Sequence, residues 1–102
     1  MHIDMNHPVI AINVSLKFYQ LQMVSGHLIL LTDRIVFKSL KGTHITNVTE
    51  TILFSEIKNL KMGLSFSPFR IAIIRIDGET WIFDQINRKD AKKFVELYHD
   101  IK

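Results

Sequence analysis

The sequence changes its hydrophobic period once, and this change limits the folds that the chain can adopt. Up to about Phe83 apolar residues tend to alternate with polar ones, most clearly in the run Ile10–Phe18. Alternation is typical of β-strands, because successive side chains of a strand point to opposite faces. From Asn87 onward the apolar residues recur at helical spacing and form one stripe: Ala91, Phe94, Val95, Tyr98 and Ile101. The pattern predicts a mainly β domain that ends in one amphipathic helix.

The first half of the chain predicts three strand segments. After Phe18 the apolar phase shifts by one residue, which favours a bulge near Phe18–Tyr19 in a long first strand. Ser25-Gly26 predicts a turn, and Thr32-Asp33 between two short apolar runs predicts a tight hairpin. The polar stretch 39–47 is predicted to be a loop.

The second half predicts further short strands and the helix. Thr49–Phe54 is expected to be a strand that leads into a helical turn at Ser55-Glu56, and Asn59–Met62 is expected to be another strand. Asp77-Gly78 between β-branched runs is a strong hairpin signal, because both residue types tolerate positive φ. Asn87 is a suitable N-cap for the helix.

Chain length and composition favour one domain. The 102 residues suffice for a single core, which we place at 10–102 after an N-terminal tail at 1–9. No apolar run reaches the ~18 residues of a membrane span, and the start lacks the pattern of a secretory signal. Because the chain has no cysteine, disulfides and thiolate zinc sites are excluded. We therefore expect a cytoplasmic protein.

Four segments, in order and spacing, resemble the GRAM branch of the PH-like superfamily. They are the hairpin GHLILLTDRIVF (Gly26–Phe37), the strand end ILFSEI (Ile52–Ile57), the Asp-Gly turn with its following strand (Asp77–Phe83), and the helix start RKDA (Arg88–Ala91). The resemblance covers about residues 14 to 102. It implies a small barrel of about seven antiparallel strands capped by one C-terminal α-helix.

The resemblance also implies that loops at the open end of the barrel bind lipid headgroups or peptides. Members that bind phosphoinositides carry clustered cations around the first hairpin, since several cations must converge on the phosphates. This chain has no Lys or Arg between Phe18 and Asp33, and the loop Asp77-Gly78-Glu79 is acidic. No specific phosphoinositide site is therefore expected.

No catalytic or metal-binding pattern is present in the sequence. No two of the five histidines are spaced as metal ligands on a predicted helix or strand. The chain also has no Gly-rich phosphate loop, GxSxG elbow or HExxH motif. We expect no catalytic residue, no metal and no cofactor. The net charge of +3 and the lack of aromatic residues among the cations argue against nucleic-acid binding.

Six apolar residues are predicted to lie on the outer face of the sheet, where a water-exposed barrel should be polar. They are Ile29, Leu31, Val36, Ile74, Ile76 and Ile82. The leading hypothesis is that these side chains form an interface for a protein partner or a second copy of the chain. Scattered surface hydrophobic residues, or cover by the N-terminal tail, are the alternatives.

The second hypothesis is a peripheral membrane module. Leu64, Phe66 and Phe69 form an apolar loop that could insert into a bilayer, unless they fold back over the barrel rim. Four cations in the first two turns of the helix oppose the helix dipole and could contact anionic headgroups: Arg88, Lys89, Lys92 and Lys93. An ordinary solvated helix face is the alternative interpretation of these cations.

Overall fold

The computed structural model of the chain describes residues 8–18, 22–40, 49–63 and 69–102. Its elements within these residues, in chain order, are β1 (Ile10–Phe18), β2 (Gln22–Leu30), β3 (Arg34–Ser39), β4 (Thr49–Leu53), a 3₁₀ turn (Phe54–Glu56), β5 (Ile57–Gly63), β6 (Phe69–Arg75), β7 (Thr80–Ile86) and α1 (Arg88–Ile101). The predicted fold class, a mainly β domain with one terminal helix, is confirmed.

The described strands form one curled antiparallel sheet. Its order is β4-β3-β2-β1-β7-β6-β5, so β1 joins the two halves and β4 and β5 are the edge strands. The 3₁₀ turn connects those two edges along the chain. None of the helices in the described ranges is long and apolar enough to cross a membrane.

The first hairpin differs from the sequence prediction. β1 ends at Phe18 and β2 begins at Gln22, and these two residues are paired in antiparallel register. The phase shift after Phe18 therefore marks a reversal of the chain and not a bulge within one long strand. The predicted turn at Ser25-Gly26 is also wrong, because both residues lie within β2.

Gly26 has a packing role in the middle of β2. A Cβ atom at this position would lie 2.4 Å from the Lys38 carbonyl oxygen and 2.8 Å from the Phe37 ring. A glycine inside a strand often marks such a close approach and not a turn. Its missing side chain leaves room for the Phe37 ring against β2.

The other predicted turns are confirmed. The chain reverses at Thr32-Asp33 between β2 and β3, and the predicted helical turn is the 3₁₀ turn. Gly78 adopts a φ of +93° in the hairpin between β6 and β7. The side-chain oxygen of Asn87 accepts a hydrogen bond from the Lys89 amide at 2.9 Å, which caps α1 as predicted.

The core lies between the concave face of the sheet and the helix. Both halves of the sheet contribute fully buried residues, such as Leu28 and Ile71. Helix α1 packs on β1, β5 and β6 through the buried residues Ala91, Phe94 and Tyr98. The stripe predicted from the sequence thus covers the open side of the sheet.

We predict that Gly26→Ala destabilises the fold by about 1–3 kcal/mol, because the added methyl group must displace backbone or an aromatic ring. Ser25→Ala is the matched control, since Ser25 is exposed on the other face of the same strand. Urea unfolding of the two variants measures the difference. Equal stability of both variants would contradict this account of Gly26.

Candidate protein-docking surface

The six predicted outer residues fall into two groups that do not meet. Ile29 on β2 lies opposite Ala11 at the start of β1, whereas Ile82 lies beside Phe83, which pairs with Leu16 near the end of β1. At ~3.3 Å per residue, these positions are separated by roughly 20 Å along the strand. The six residues therefore do not form one continuous interface.

The first group is largely inaccessible. Ile29 pairs with Val36 and is half-buried, whereas Leu31 and Val36 are only 2% and 3% exposed. Both residues are buried within the chain itself, although neither belongs to the core cluster beneath the sheet. This burial corrects the expectation that a partner could contact Leu31 and Val36.

The second group forms an accessible surface, here called the hairpin patch. It consists of the predicted residues Ile74, Ile76 and Ile82, together with the neighbouring Ala72, on β6, β7 and the turn between them. Ala72 pairs with Ile82, and Ile74 pairs with Thr80, so the patch follows the outer face of one hairpin. Ile76 is 68% exposed at its tip.

The tip of the hairpin is fixed to the 3₁₀ turn. The Ile76 amide donates to the Glu56 carbonyl oxygen at 3.0 Å, and the Arg75 guanidinium contacts the Glu56 carboxylate at 3.1 Å. The turn is closed further by the Glu79 amide, which donates to the Asp77 side chain. The turn that carries Ile76 is therefore held in place by hydrogen bonds and an ion pair.

Acidic groups surround the exposed end of the hairpin patch. Asp77 and Glu79 flank Gly78 at the tip and are exposed, and Glu56 lies on the adjoining 3₁₀ turn. Lys61 on β5, opposite Ala72, provides a cation at the far side of the patch. The patch is thus an apolar centre with a charged border.

One exposed residue near this surface was missed by the sequence reasoning. Leu53 is 37% exposed and immediately precedes the 3₁₀ turn. The alternation Thr49, Thr51, Leu53 around buried Ile52 is the signal that could have placed it on the outer face.

The predicted membrane-contact residues are only partly described. Arg88, Lys89, Lys92 and Lys93 are all exposed in the first two turns of α1. Leu64 and Phe66 lie outside the described residues, and of Phe69 only the backbone is described. That backbone pairs with Ile86, next to the helix N-cap, so β6 begins close to the basic helix start.

Two ionisable groups near the 3₁₀ turn are perturbed. Hydrogen bonds from the Arg34 guanidinium lower the pKa of the neighbouring Asp33 carboxyl. Burial raises the pKa of the Tyr98 hydroxyl, which has no hydrogen-bond partner among the residues that the structure describes. The Tyr98 ring packs edge-on against Phe54 with ring centroids 5.1 Å apart, so helix and turn are joined by an aromatic contact.

Within the described residues, no group of three or more His, Asp or Glu side chains is placed to bind a metal ion. The exposed residues His27, Asn13 and Lys38 lie side by side across β1–β3. The features that the described surface does offer are the hairpin patch, the basic helix start and the two sheet edges.

Comparison with known proteins supports the fold. No protein-family model matches the chain, and no curated protein matches it. Among solved structures, the chain is similar to the crystal structure of the C-terminal domain of an unknown protein from Leishmania infantum. The identity is 14% and the TM-score 0.73, over 93% of this chain and 84% of that chain. At this identity the likeness shows the fold alone.

We predict that Tyr98→Phe raises the free energy of unfolding by about 1 kcal/mol, because it removes a buried hydroxyl that has no partner. The raised pKa also implies that the folded chain holds this proton at a pH where the unfolded chain, with a tyrosine pKa of about 10, loses it. Above about pH 10 the wild type should therefore lose stability faster than Tyr98→Phe.

Chemical denaturation of both proteins from neutral pH to about pH 11 gives this comparison. A Tyr98→Phe variant that is less stable at neutral pH would mean that the hydroxyl has a partner after all. Parallel pH profiles for the two proteins would contradict the raised pKa.

Proposed function

We propose that this chain is a non-enzymatic binding module of the PH/GRAM type and that it docks a protein partner through the hairpin patch. The observation that carries the proposal is the 68% exposure of Ile76, continuous with the outward apolar residues Ile74 and Ile82. The family assignment is supported by the sequence resemblance and by the order of strands and helix.

The chemistry of the hairpin patch favours a protein over a membrane at this surface. An anionic bilayer would be repelled by the carboxylates of Asp77 and Glu79, which flank the exposed tip. Protein interfaces commonly combine an apolar centre with a charged rim, as the hairpin patch does. Because the turn between β6 and β7 is already held in place, it also loses little conformational entropy on binding.

A specific complex would need only a minor share of the surface of the chain. A standard interface buries about 800 Å² on each partner. The chain exposes 6888 Å² in all, so an interface of that size requires only a minor share of its surface. The hairpin patch would form its centre, and Lys61, Asp77 and Leu53 would lie at its rim.

Photo-crosslinking tests this proposal inside the cell that expresses the protein. A benzophenone amino acid replaces Ile76, and in a control chain it replaces Leu40, which is 42% exposed on the segment after β3. We expect protein adducts of defined mass at position 76 only. A second change, Ile74→Asp, should remove those adducts because it charges the centre of the hairpin patch.

Adducts that form equally at positions 76 and 40 would reflect non-specific contact and would contradict the proposal. An absence of adducts at position 76 would also contradict it. Adducts at position 76 that survive Ile74→Asp would mean that the hairpin patch is not the docking surface.

A second candidate function, anionic-membrane binding, rests on a different observation. The pairing of Phe69 with Ile86 places the start of β6 close to the exposed cations at the start of α1, and the apolar residues Leu64 and Phe66 precede β6 in the sequence. Apolar insertion next to cations is the usual arrangement of peripheral membrane proteins, with about 1 kcal/mol for each cation near the surface.

Vesicle sedimentation distinguishes this candidate from protein docking. If it is correct, the chain should bind phosphatidylserine-containing vesicles but not phosphatidylcholine vesicles, and binding should weaken as salt is raised. The double variant Phe66→Ser/Lys92→Glu should lose binding. The control Lys58→Glu/Lys61→Glu, with charge changes on β5, should retain most of it. Equal binding of these two variants would exclude the helix start as the contact.

A further inference from the structure

Within the described part of the chain, the hydrogen-bond pattern of β4 leaves one side of this strand unpaired. In antiparallel sheets, hydrogen-bonded and non-hydrogen-bonded residue pairs alternate along the two strands. The Phe54 amide donates to the Asp33 carbonyl oxygen at 2.9 Å, which sets the phase of the β3–β4 ladder. Ile52 and Glu50 therefore bond with β3. The backbone groups of Thr49, Thr51 and Leu53 point away from it.

Two further contacts agree with this phase. The Arg34 carbonyl oxygen accepts from the Leu31 amide, so the backbone of Arg34 faces β2 and not its β4 neighbour Leu53. The Leu53 amide, which should then be free, donates instead to the Glu56 carboxylate at 3.0 Å. Glu56 thus caps one end of the open edge and leaves the groups around Thr51 without a partner among the described residues.

The two edges of the sheet differ in how they are protected against pairing. Exposed lysines and register irregularities are common devices that prevent an edge strand from adding another strand. β5 has both, with Lys58 and Lys61 exposed and a register shift between Ile57 and Asn59. β4 carries Thr49, Thr51 and Leu53 on its outer face and has no lysine, arginine, proline or glycine.

We infer that β4 pairs with β4 of a second copy of this chain, antiparallel about Thr51, to form a sheet that continues through both copies. In this register the two Thr51 residues exchange a pair of backbone hydrogen bonds, and each Thr49 amide donates to the Leu53 carbonyl oxygen of the second copy. The interface meets the rim of the hairpin patch only at Leu53, and it does not depend on the proposed function.

Charge and shape favour a second copy as the occupant. The charged residue of β4, Glu50, lies opposite Ile52 of the second copy, so no like charges face each other in the new ladder. The outer row that forms across the junction contains only threonine and leucine side chains, and four of these six side chains are β-branched threonines, which strands prefer. The Glu56 carboxylate occupies the Leu53 amide and so limits the new pairing to the short strand β4. The result is a closed pair with two-fold symmetry and not an open array.

Sedimentation velocity over a micromolar concentration series tests the inference. The wild type should approach twice the chain mass of 11.9 kDa as concentration rises. Thr51→Pro should be monomeric, because proline removes the central donor. It should still fold, since that amide makes no bond to β3 and proline is accepted at sheet edges. Thr51→Val, which keeps the amide, should dimerise like the wild type.

Circular dichroism confirms that both variants fold before their masses are compared. If Thr51→Pro does not fold, protection of the Thr51 amide from hydrogen exchange in the wild type, rising with protein concentration, takes its place. A monomeric wild type throughout the series overturns the inference, as does a folded Thr51→Pro that dimerises. A dimer lost in Ile76→Asp but kept in Thr51→Pro would assign self-association to the hairpin patch instead.

Discussion

The packing of the α1 stripe onto the curled sheet is the interaction on which the rest of the structure depends. A sheet that curls without closing exposes the apolar residues on its concave side. Ala91, Phe94 and Tyr98 cover that side, and all three are fully buried. The aromatic contact between Tyr98 and Phe54 extends the packing to the 3₁₀ turn, which in turn supports the hairpin tip. One helix therefore stabilises both the core and the surface proposed for docking.

A helix, and not strand pairing, closes this sheet, so β4 and β5 remain edge strands. The position of these two edges explains where binding surfaces can arise. Lysines and a register shift protect β5 against further pairing, whereas among the described residues β4 is protected only at its end, by Glu56. The same Glu56 contacts Arg75 and holds the β6–β7 turn in place. The Glu56 carboxylate therefore lies at the border of both proposed interaction surfaces, but it is not itself one of the groups that would contact a partner.

The sequence predicted the parts of this architecture that depend on local patterns. The helix, the Asp77-Gly78 turn and the 3₁₀ turn follow from periodicity, positive φ and polar residues in a short connection. The first hairpin was missed, since a phase shift of one residue is produced equally by a bulge and by a chain reversal. Gly26 was misassigned because the reason for a glycine there, the Phe37 ring, lies on another strand.

The outer-face residues show the same division between local and long-range information. Alternation predicted that Ile29, Leu31, Val36, Ile74, Ile76 and Ile82 share one phase, but the phase does not reveal which strands are neighbours. The observed strand order separates them into a largely buried group and the accessible hairpin patch. Leu53 was overlooked because the other outward residues of its strand, Thr49 and Thr51, are polar, and because its role as an edge residue depends on the register with β3.

Unfolding of Phe94→Ala, followed by two probes, tests the central claim that the helix closes the sheet. Trp81, the one tryptophan of the chain, lies on β7 and reports on the sheet, whereas circular dichroism near 222 nm reports mainly on α1. The account predicts that both transitions move together and that stability falls by about 3–5 kcal/mol. A Trp81 transition that stays unchanged while the helix signal is lost would show that the sheet stands without the helix and would contradict the account.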